Sequence, residues 1–149
     1  MTENTMETSS ADNAFSTFHL GTSLFGINIL EIQEINKNFE ITQVPHASDY
    51  IKGIINLRGQ IVTIIDLGRK LGLNPVQKNK DNKNIIVHSE NEHIGLLVDA
   101  IHDVVHAKIH DIETAPSNIG EIKGKYLQGV LKNKKQLIGI LNMTEILKD

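Results

Sequence analysis

Residues 50–71 read YIKGIINLRGQIVTIIDLGRKL, and residues 126–147 read YLQGVLKNKKQLIGILNMTEIL. Sliding the first by 76 positions lays it on the second without a gap: Tyr50 meets Tyr126, Gly53 meets Gly129, Gln60 meets Gln136, Ile64 meets Ile140 and Leu71 meets Leu147. The apolar positions between them match in kind, Ile54 with Val130, Ile61 with Leu137, Val62 with Ile138 and Ile65 with Leu141. In each copy two apolar runs flank a short polar turn, Arg58-Gly59 in one and Asn133-Lys134-Lys135 in the other, which is a β-hairpin pattern. Asp66 and Asn142 close the hairpins. Both side chains can accept a free backbone N–H at a helix start, so short helices are predicted over 67–71 and 143–148.

A second stretch repeats with a shift of 69. Phe25-Gly26-Ile27 falls on Ile94-Gly95-Leu96, Ile29 on Val98, Ile32 on Ile101, Glu34 on Asp103 and Ile35 on Val104. The segments keep their order, so the chain holds two copies of one β-rich unit. The first opens with a hairpin in which Phe18 and Leu20 alternate before Gly21-Thr22-Ser23, and Phe25, Ile27 and Ile29 alternate after it. Further strands are predicted over 85–88, 93–98 and 104–109, and the polar run NPVQKNKDNKN (74–84) reads as a linker. A unit of roughly 60 residues is most simply a small closed barrel, because closure removes edge strands, and it is marginal alone. Two such barrels side by side support each other. The expected division is a disordered tail over 1–14, a first barrel over 15–78 and a second over 79–149, with the C-terminal segment free to cross back to the first.

Composition narrows the function. The chain has 149 residues with 15 Lys+Arg against 18 Asp+Glu, and 4% aromatic residues without Trp, so neither a basic nor a base-stacking nucleic-acid surface is present. The absence of Cys removes disulfides, thiolate catalysis and Cys-ligated zinc. No apolar run approaches the roughly 20 residues that span a bilayer. Met1 to Asn13 carries neither a basic nor an apolar leader region, so a cytoplasmic location is expected.

Chemistry is sparse. There is no phosphate-binding glycine loop, no dinucleotide fingerprint and no nucleophile elbow, so no cofactor is expected. His102, His106 and His110 share an i, i+4, i+8 spacing that suits a metal only on a helix. The intervening DVVHAKI favours a strand, where four residues span about 13 Å, too far for one ion. A small His-ligated metalloenzyme is the rival reading. The acidic pairs Glu31/Glu34, Asp99/Asp103 and Asp111/Glu113 read as solvated carboxylates with no apolar pocket to raise one of them.

Four segments in order, FGINILEIQEI (25–35), VP…YIKGIINLRGQIVTIIDL (44–67), IGLLVDAIHDVV (94–105) and YLQGV…LIGILNMTEIL (126–147), resemble the CheW-type chemotaxis coupling proteins from about Phe15 onward. The Asn56-Leu57-Arg58-Gly59 turn is similar to the family's Asn-Leu-Arg-Gly. One departure is Thr63, where many relatives carry Pro; Thr there only makes the strand more regular. The resemblance implies an all-β fold of two five-stranded SH3-like barrels packed side by side, with short helices. It implies a non-catalytic scaffold that links chemoreceptors to the regulatory domain of the histidine kinase CheA, in arrays on the inner face of the membrane without inserting into it. An adaptor of another receptor–kinase pathway, such as pilus motility, is the alternative within the family.

The residues expected to touch the receptor's helical tip are Arg58 and Gly59 in the turn, with Ile32 and Glu34. Arg offers five donors in a rigid fork, and a local acid, Glu34 or Asp66, is its expected partner when it is not engaged. The second copy has Lys134 at the matching tip, so the two tips differ in chemistry. The kinase is expected at an exposed apolar patch around Val44, Pro45, Ile51 and Gly53, where glycine would let a partner's backbone come close.

Overall fold

The computed structural model describes residues 13–114, 118–119 and 122–148. Alternating β-branched and aromatic runs give strands β1 (Asn13–Leu20), β2 (Ser23–Asn28), β3 (Ile32–Asn36), β4 (Ile51–Leu57), β5 (Gln60–Asp66), β6 (Lys83–Ser89), β7 (Glu92–Val98) and β8 (Ala100–Ala107). A two-stranded ribbon follows, β9 (Asn118–Ile119) and β10 (Ile122–Lys123), and then β11 (Leu127–Asn133) and β12 (Gln136–Leu141). Two one-turn helices, α1 (Leu67–Lys70) and α2 (Met143–Ile146), follow the two long hairpins. Both caps form as the sequence implies: Asp66 Oδ1 accepts the Arg69 N–H at 3.1 Å and Asn142 Oδ1 the Glu145 N–H at 3.2 Å. The repeated tyrosines have a backbone role, since the carbonyls of Tyr50 and Tyr126 accept the N–H of these same capping residues at 2.7 and 2.8 Å.

The strands form two five-stranded SH3-like barrels, ordered β11-β12-β2-β1-β8 and β3-β6-β7-β5-β4. The division expected between residues 78 and 79 is therefore corrected. One barrel is continuous, residues 32–98; the other is split, residues 13–28 joined by 100–141. In terms of the repeat, each barrel takes its first hairpin from one copy and its last three strands from the other. The exchange is reciprocal down to register. The parallel pair β12/β2 sets Ile140 opposite Gly26, and the parallel pair β5/β7 sets Ile64 opposite Gly95. A Cβ on Gly26 would lie 3.2 Å from Ile140 Cδ1, and one on Gly95 would lie 2.5 Å from Ile64 Cδ1, so in each pair the isoleucine side chain occupies the space over the glycine.

Burial follows this arrangement. Phe15, Leu24, Leu131, Ile138 and Ile140 fill the split barrel. Ile55, Val62, Ile64, Ile86 and Leu97 fill the continuous one. The largest cluster is shared between them, joining Phe18, Phe25 and Ile27 to Ile85, Leu96 and Val98, with Leu67 and Leu71 from α1 and Met143 and Ile146 from α2. Burying each such side chain is worth about 1.5–3 kcal/mol, so the barrels are welded rather than hinged.

Several boundaries move. Asn13 and Ala14 belong to β1, and residues 1–12 of the expected tail lie outside the described residues. Ile29 is in a 3-10 turn, Ile29–Glu31, rather than a strand, and Tyr126 likewise. The predicted linker ends early, because Lys83 and Asn84 begin β6. The strand predicted over 104–109 starts at Ala100 and stops at Ala107.

Candidate protein-interaction site

The β4–β5 turn presents Arg58 because both central residues adopt left-handed backbone, φ +51° at Arg58 and +84° at Gly59. This is the twist that a two-residue hairpin turn requires. Asn56 Oδ1 holds the turn by accepting the Gly59 N–H at 2.9 Å. The Arg58 side chain is 68% exposed, and its guanidinium forms an ion pair with Glu34 on β3. Of the two acids expected to meet Arg58, Glu34 is the partner; Asp66 is buried under α1. Since β3 and β4 are the opposite edges of their sheet, this pair ties the edges together as the barrel closes. The Arg58 hydrogen bond, helped by the Asn36 amide, holds the Glu34 carboxyl below the usual glutamate range against a smaller opposing effect of burial. An exposed pair of this kind adds at most about 1 kcal/mol to stability. Its consequence is orientation: the fork is fixed at the surface with donors left to offer.

Around this pair the structure gathers the other expected receptor residues. Ile32 is half-buried against the shared core, and Gly59 is exposed beside Arg58. Sequence reasoning missed two exposed residues on the segment leading into β3. Ile29 and Leu30 stand 42% and 86% exposed on the turn that carries the chain from the split to the continuous barrel. Their signal was two consecutive apolar residues, Ile29-Leu30 after Ile27-Asn28, breaking the alternation that a half-buried strand keeps. Ile35, 39% exposed on β3, extends the apolar surface. The copy of this site on the split barrel has different chemistry: Lys134 replaces Arg58, Asp103 replaces Glu34, and Asp103 lies 3.9 Å from His102 Nε2 instead.

The expected kinase residues lie in and after the loop joining β3 to β4. Val44 and Pro45 are exposed, with Phe39 adding to the apolar strip, and Ile51 is half-buried at the start of β4 opposite Ile65. Gly53 is different. It is buried at a bulge with φ +148°, and a Cβ there would overlap the Thr42 carbonyl. The close approach predicted for a partner's backbone is made by the chain's own loop, through Thr42 N–H to Ile54 O at 2.9 Å and Ile54 N–H to Thr42 O at 2.8 Å. The repeat does the same at Gly129, with Glu113 and Val130 exchanging both bonds at 2.8 Å.

The three spaced histidines do not converge. His102 and His106 lie on β8 and His110 in a 3-10 turn beyond it. His102 Nδ1 instead stands 3.3 Å from His19 Nε2. Among the described residues no three His, Asp or Glu side chains gather to hold a metal. Nor are all the acids fully solvated: burial pushes the Glu31 carboxyl up.

Comparison with known proteins turns this geometry into an identity. The CheW-like domain matches residues 14–149. The chain belongs to the CheW-like domain family. Its relatives include the chemotaxis protein CheW of Helicobacter pylori, 32% identical over 134 residues, covering 90% of this chain and 81% of that protein. Another is the CheW of Klebsiella aerogenes, 31% identical over 133 residues, with 89% and 80% covered. Among solved structures, the scaffolding protein TtCheW from Thermoanaerobacter tengcongensis matches with a TM-score of 0.85 and 32% identity, over 92% of this chain and 88% of that one. Membership sets the function class: the chain is a chemotaxis coupling scaffold of CheW-like fold. No helix among the described residues is long and apolar enough to cross a membrane.

Proposed function

We propose that the protein is a non-catalytic adaptor that couples transmembrane chemoreceptors to the histidine kinase CheA, working at the cytoplasmic face of the membrane in receptor arrays. The observation that carries the reading is the Arg58–Glu34 pair held at the surface of the continuous barrel, on the strand that follows the turn exposing Ile29 and Leu30. An oriented guanidinium next to apolar side chains suits a receptor helix, whose surface offers carbonyls and carboxylates beside apolar residues. Ile32 and Glu34 position that surface, and Gly59 gives the turn its left-handed backbone. The kinase regulatory domain is assigned to the β3–β4 loop, where Val44, Pro45 and Ile51 supply apolar contact and Gly53 holds the loop down from beneath. The two surfaces differ in chemistry, which is what simultaneous binding of two partners requires. Modest individual affinities suffice, because an array multiplies them.

The test is Arg58→Asp, which places a second acid opposite Glu34. Binding to a receptor cytoplasmic fragment is expected to fall by ~10-fold or more, with kinase binding nearly unchanged in the same pull-down. Equal loss of both would remove Arg58 from the receptor site.

A further inference from the structure

One of the three spaced histidines has an imidazole partner, across the sheet rather than along its own strand. β1 and β8 run antiparallel, with Phe18 opposite Ile101 and His19 opposite Ala100. Phe18 and Ile101 pack into the shared core, so alternation turns His19 and His102 to the outer face, where they are diagonal neighbours. His19 Nε2 stands 3.3 Å from His102 Nδ1, with the ring planes at 74° and 4.9 Å between ring centres. The register slips between Ser16/Val104 and Phe18/Ile101, a bulge on β8 at His102-Asp103. The Asp103 carboxylate lies 3.9 Å from the far nitrogen of the same ring, His102 Nε2. A carboxylate on that side favours the proton on Nε2 and leaves the Nδ1 lone pair toward His19. Neither strand carries Lys or Arg, and the residues opposite His19 on its two neighbouring strands are Leu24 and Ala100. The other copy of the repeat cannot form this pair: His88 matches His19, but Gln33 matches His102. The His88 and His93 rings there lie 5.0 Å apart, and His93 Nδ1–H already donates to Gln33 Oε1 at 3.0 Å.

We propose that His19 Nε2 and His102 Nδ1 together bind a divalent transition-metal ion of the zinc or copper kind. Two nitrogens held on a tetrahedral zinc ion at about 2.0–2.1 Å lie about 3.3–3.4 Å from each other, so this pair already has the spacing that one ion requires. Imidazole suits zinc, copper and nickel, whereas calcium and magnesium take oxygen ligands. Asp103 supplies the carboxylate that orients a ligating histidine from behind. Two protein ligands leave the remaining positions to water, so the ion exchanges freely, unlike a closed four-ligand structural zinc. Its consequence is mechanical: the ion ties β8, the edge strand of its sheet, to β1. The site is on the split barrel, whereas the receptor and kinase residues are on the continuous one, and it does not rest on their assignment.

The probe is zinc chloride, added to the full ¹⁵N-labelled chain prepared without an affinity tag and followed at the imidazole nitrogens by NMR. Saturation at one ion per chain is expected, with the shifts at His19 Nε2 and His102 Nδ1 and a Kd on the order of 10–100 μM. At about tenfold excess over that Kd the melting temperature should rise by roughly 3 °C, and a chelator should reverse the rise. His102→Gln is the informative variant, because Gln33 fills the matching position in the other barrel. It should weaken binding by ~10-fold or more, and His19→Gln should do the same. His106→Ala, at an exposed position on β8, should bind as the unaltered chain does. Zinc shifts centred on His88 and His93, unchanged affinity in His102→Gln, or no saturation below ~1 mM would each overturn the proposal.

Discussion

Replacing Gly53 by Ala separates a structural role from a binding one. The structure assigns Gly53 to holding the β3–β4 loop on β4, so the cost should appear in the free protein. Two terms add. An L side chain at φ +148° is strained, at about 1–2 kcal/mol. The added Cβ also overlaps the Thr42 carbonyl and lies 2.6 Å from Ile41 Cγ2, which forces apart the Thr42–Ile54 bridge and its two hydrogen bonds, each worth about 1 kcal/mol net. The sum is about 3–4 kcal/mol. Gly59→Ala is the control. Its φ of +84° carries a similar strain, but a Cβ there meets nothing within 4 Å, so about 1–2 kcal/mol is expected. Urea unfolding of the two variants measures the difference, and amide exchange at Ile54 reports the bridge directly. If Gly53→Ala destabilises no more than Gly59→Ala and leaves Ile54 protected, the overlap argument fails and Gly53 returns to being a contact residue.

Three further outcomes are expected. The Glu34 carboxyl should titrate, by carbon-detected NMR, below the usual ~4.3, and Arg58→Ala should bring it back. Because the folded value is depressed, the pair's contribution is present above the unfolded value and lost as pH falls through the folded one. Asp66→Ala should cost about 2–3 kcal/mol against about 1 for Asn142→Ala, since Asp66 is buried and accepts from both Arg69 and Val76 while Asn142 caps Glu145 alone; comparable losses in thermal unfolding would contradict the anchoring of residues 72–76 by Asp66. Phe18→Ala, in the shared core, should cost about 3–5 kcal/mol and unfold both barrels in one transition, whereas separate transitions for probes in β5 and β12 would show the barrels to be independent.

What could be read from the sequence was whatever depends on local pattern. The hairpins, their caps and the doubling all follow from alternation, turn residues and two gapless shifts. Strand exchange was invisible for a physical reason. β2 and β7 carry the same pattern, Phe25-Gly26-Ile27 and Ile94-Gly95-Leu96, so either could lie against β5 or β12 on local grounds alone. Connection length settles it in three dimensions. A single residue, Asp99, joins β7 to β8, and three residues join β2 to β3, and each short link carries the chain across to the other barrel. The Arg58–Glu34 contact was within reach as one of two alternatives, because a turn arginine seeks an acid but sequence cannot choose between an exposed and a buried one. Leu30 was missed because exposure of an apolar residue depends on where its turn sits in the assembled pair of barrels.

The duplication explains how one small chain can hold two surfaces in a fixed relation while giving them different chemistry. Exchange of hairpins places half of each repeat in each barrel, so neither barrel can shift without disturbing the core that both share. Divergence is then confined to positions that the core does not constrain. Arg58 faces Glu34 where the other copy has Lys134 and Asp103, whose carboxylate lies near His102 instead. A scaffold transmits by position rather than by reaction, and position is what a shared core fixes most firmly. The same economy predicts where specificity among relatives should change: at turn tips and at the crossing residues 29–31, with the shared core and the caps held constant.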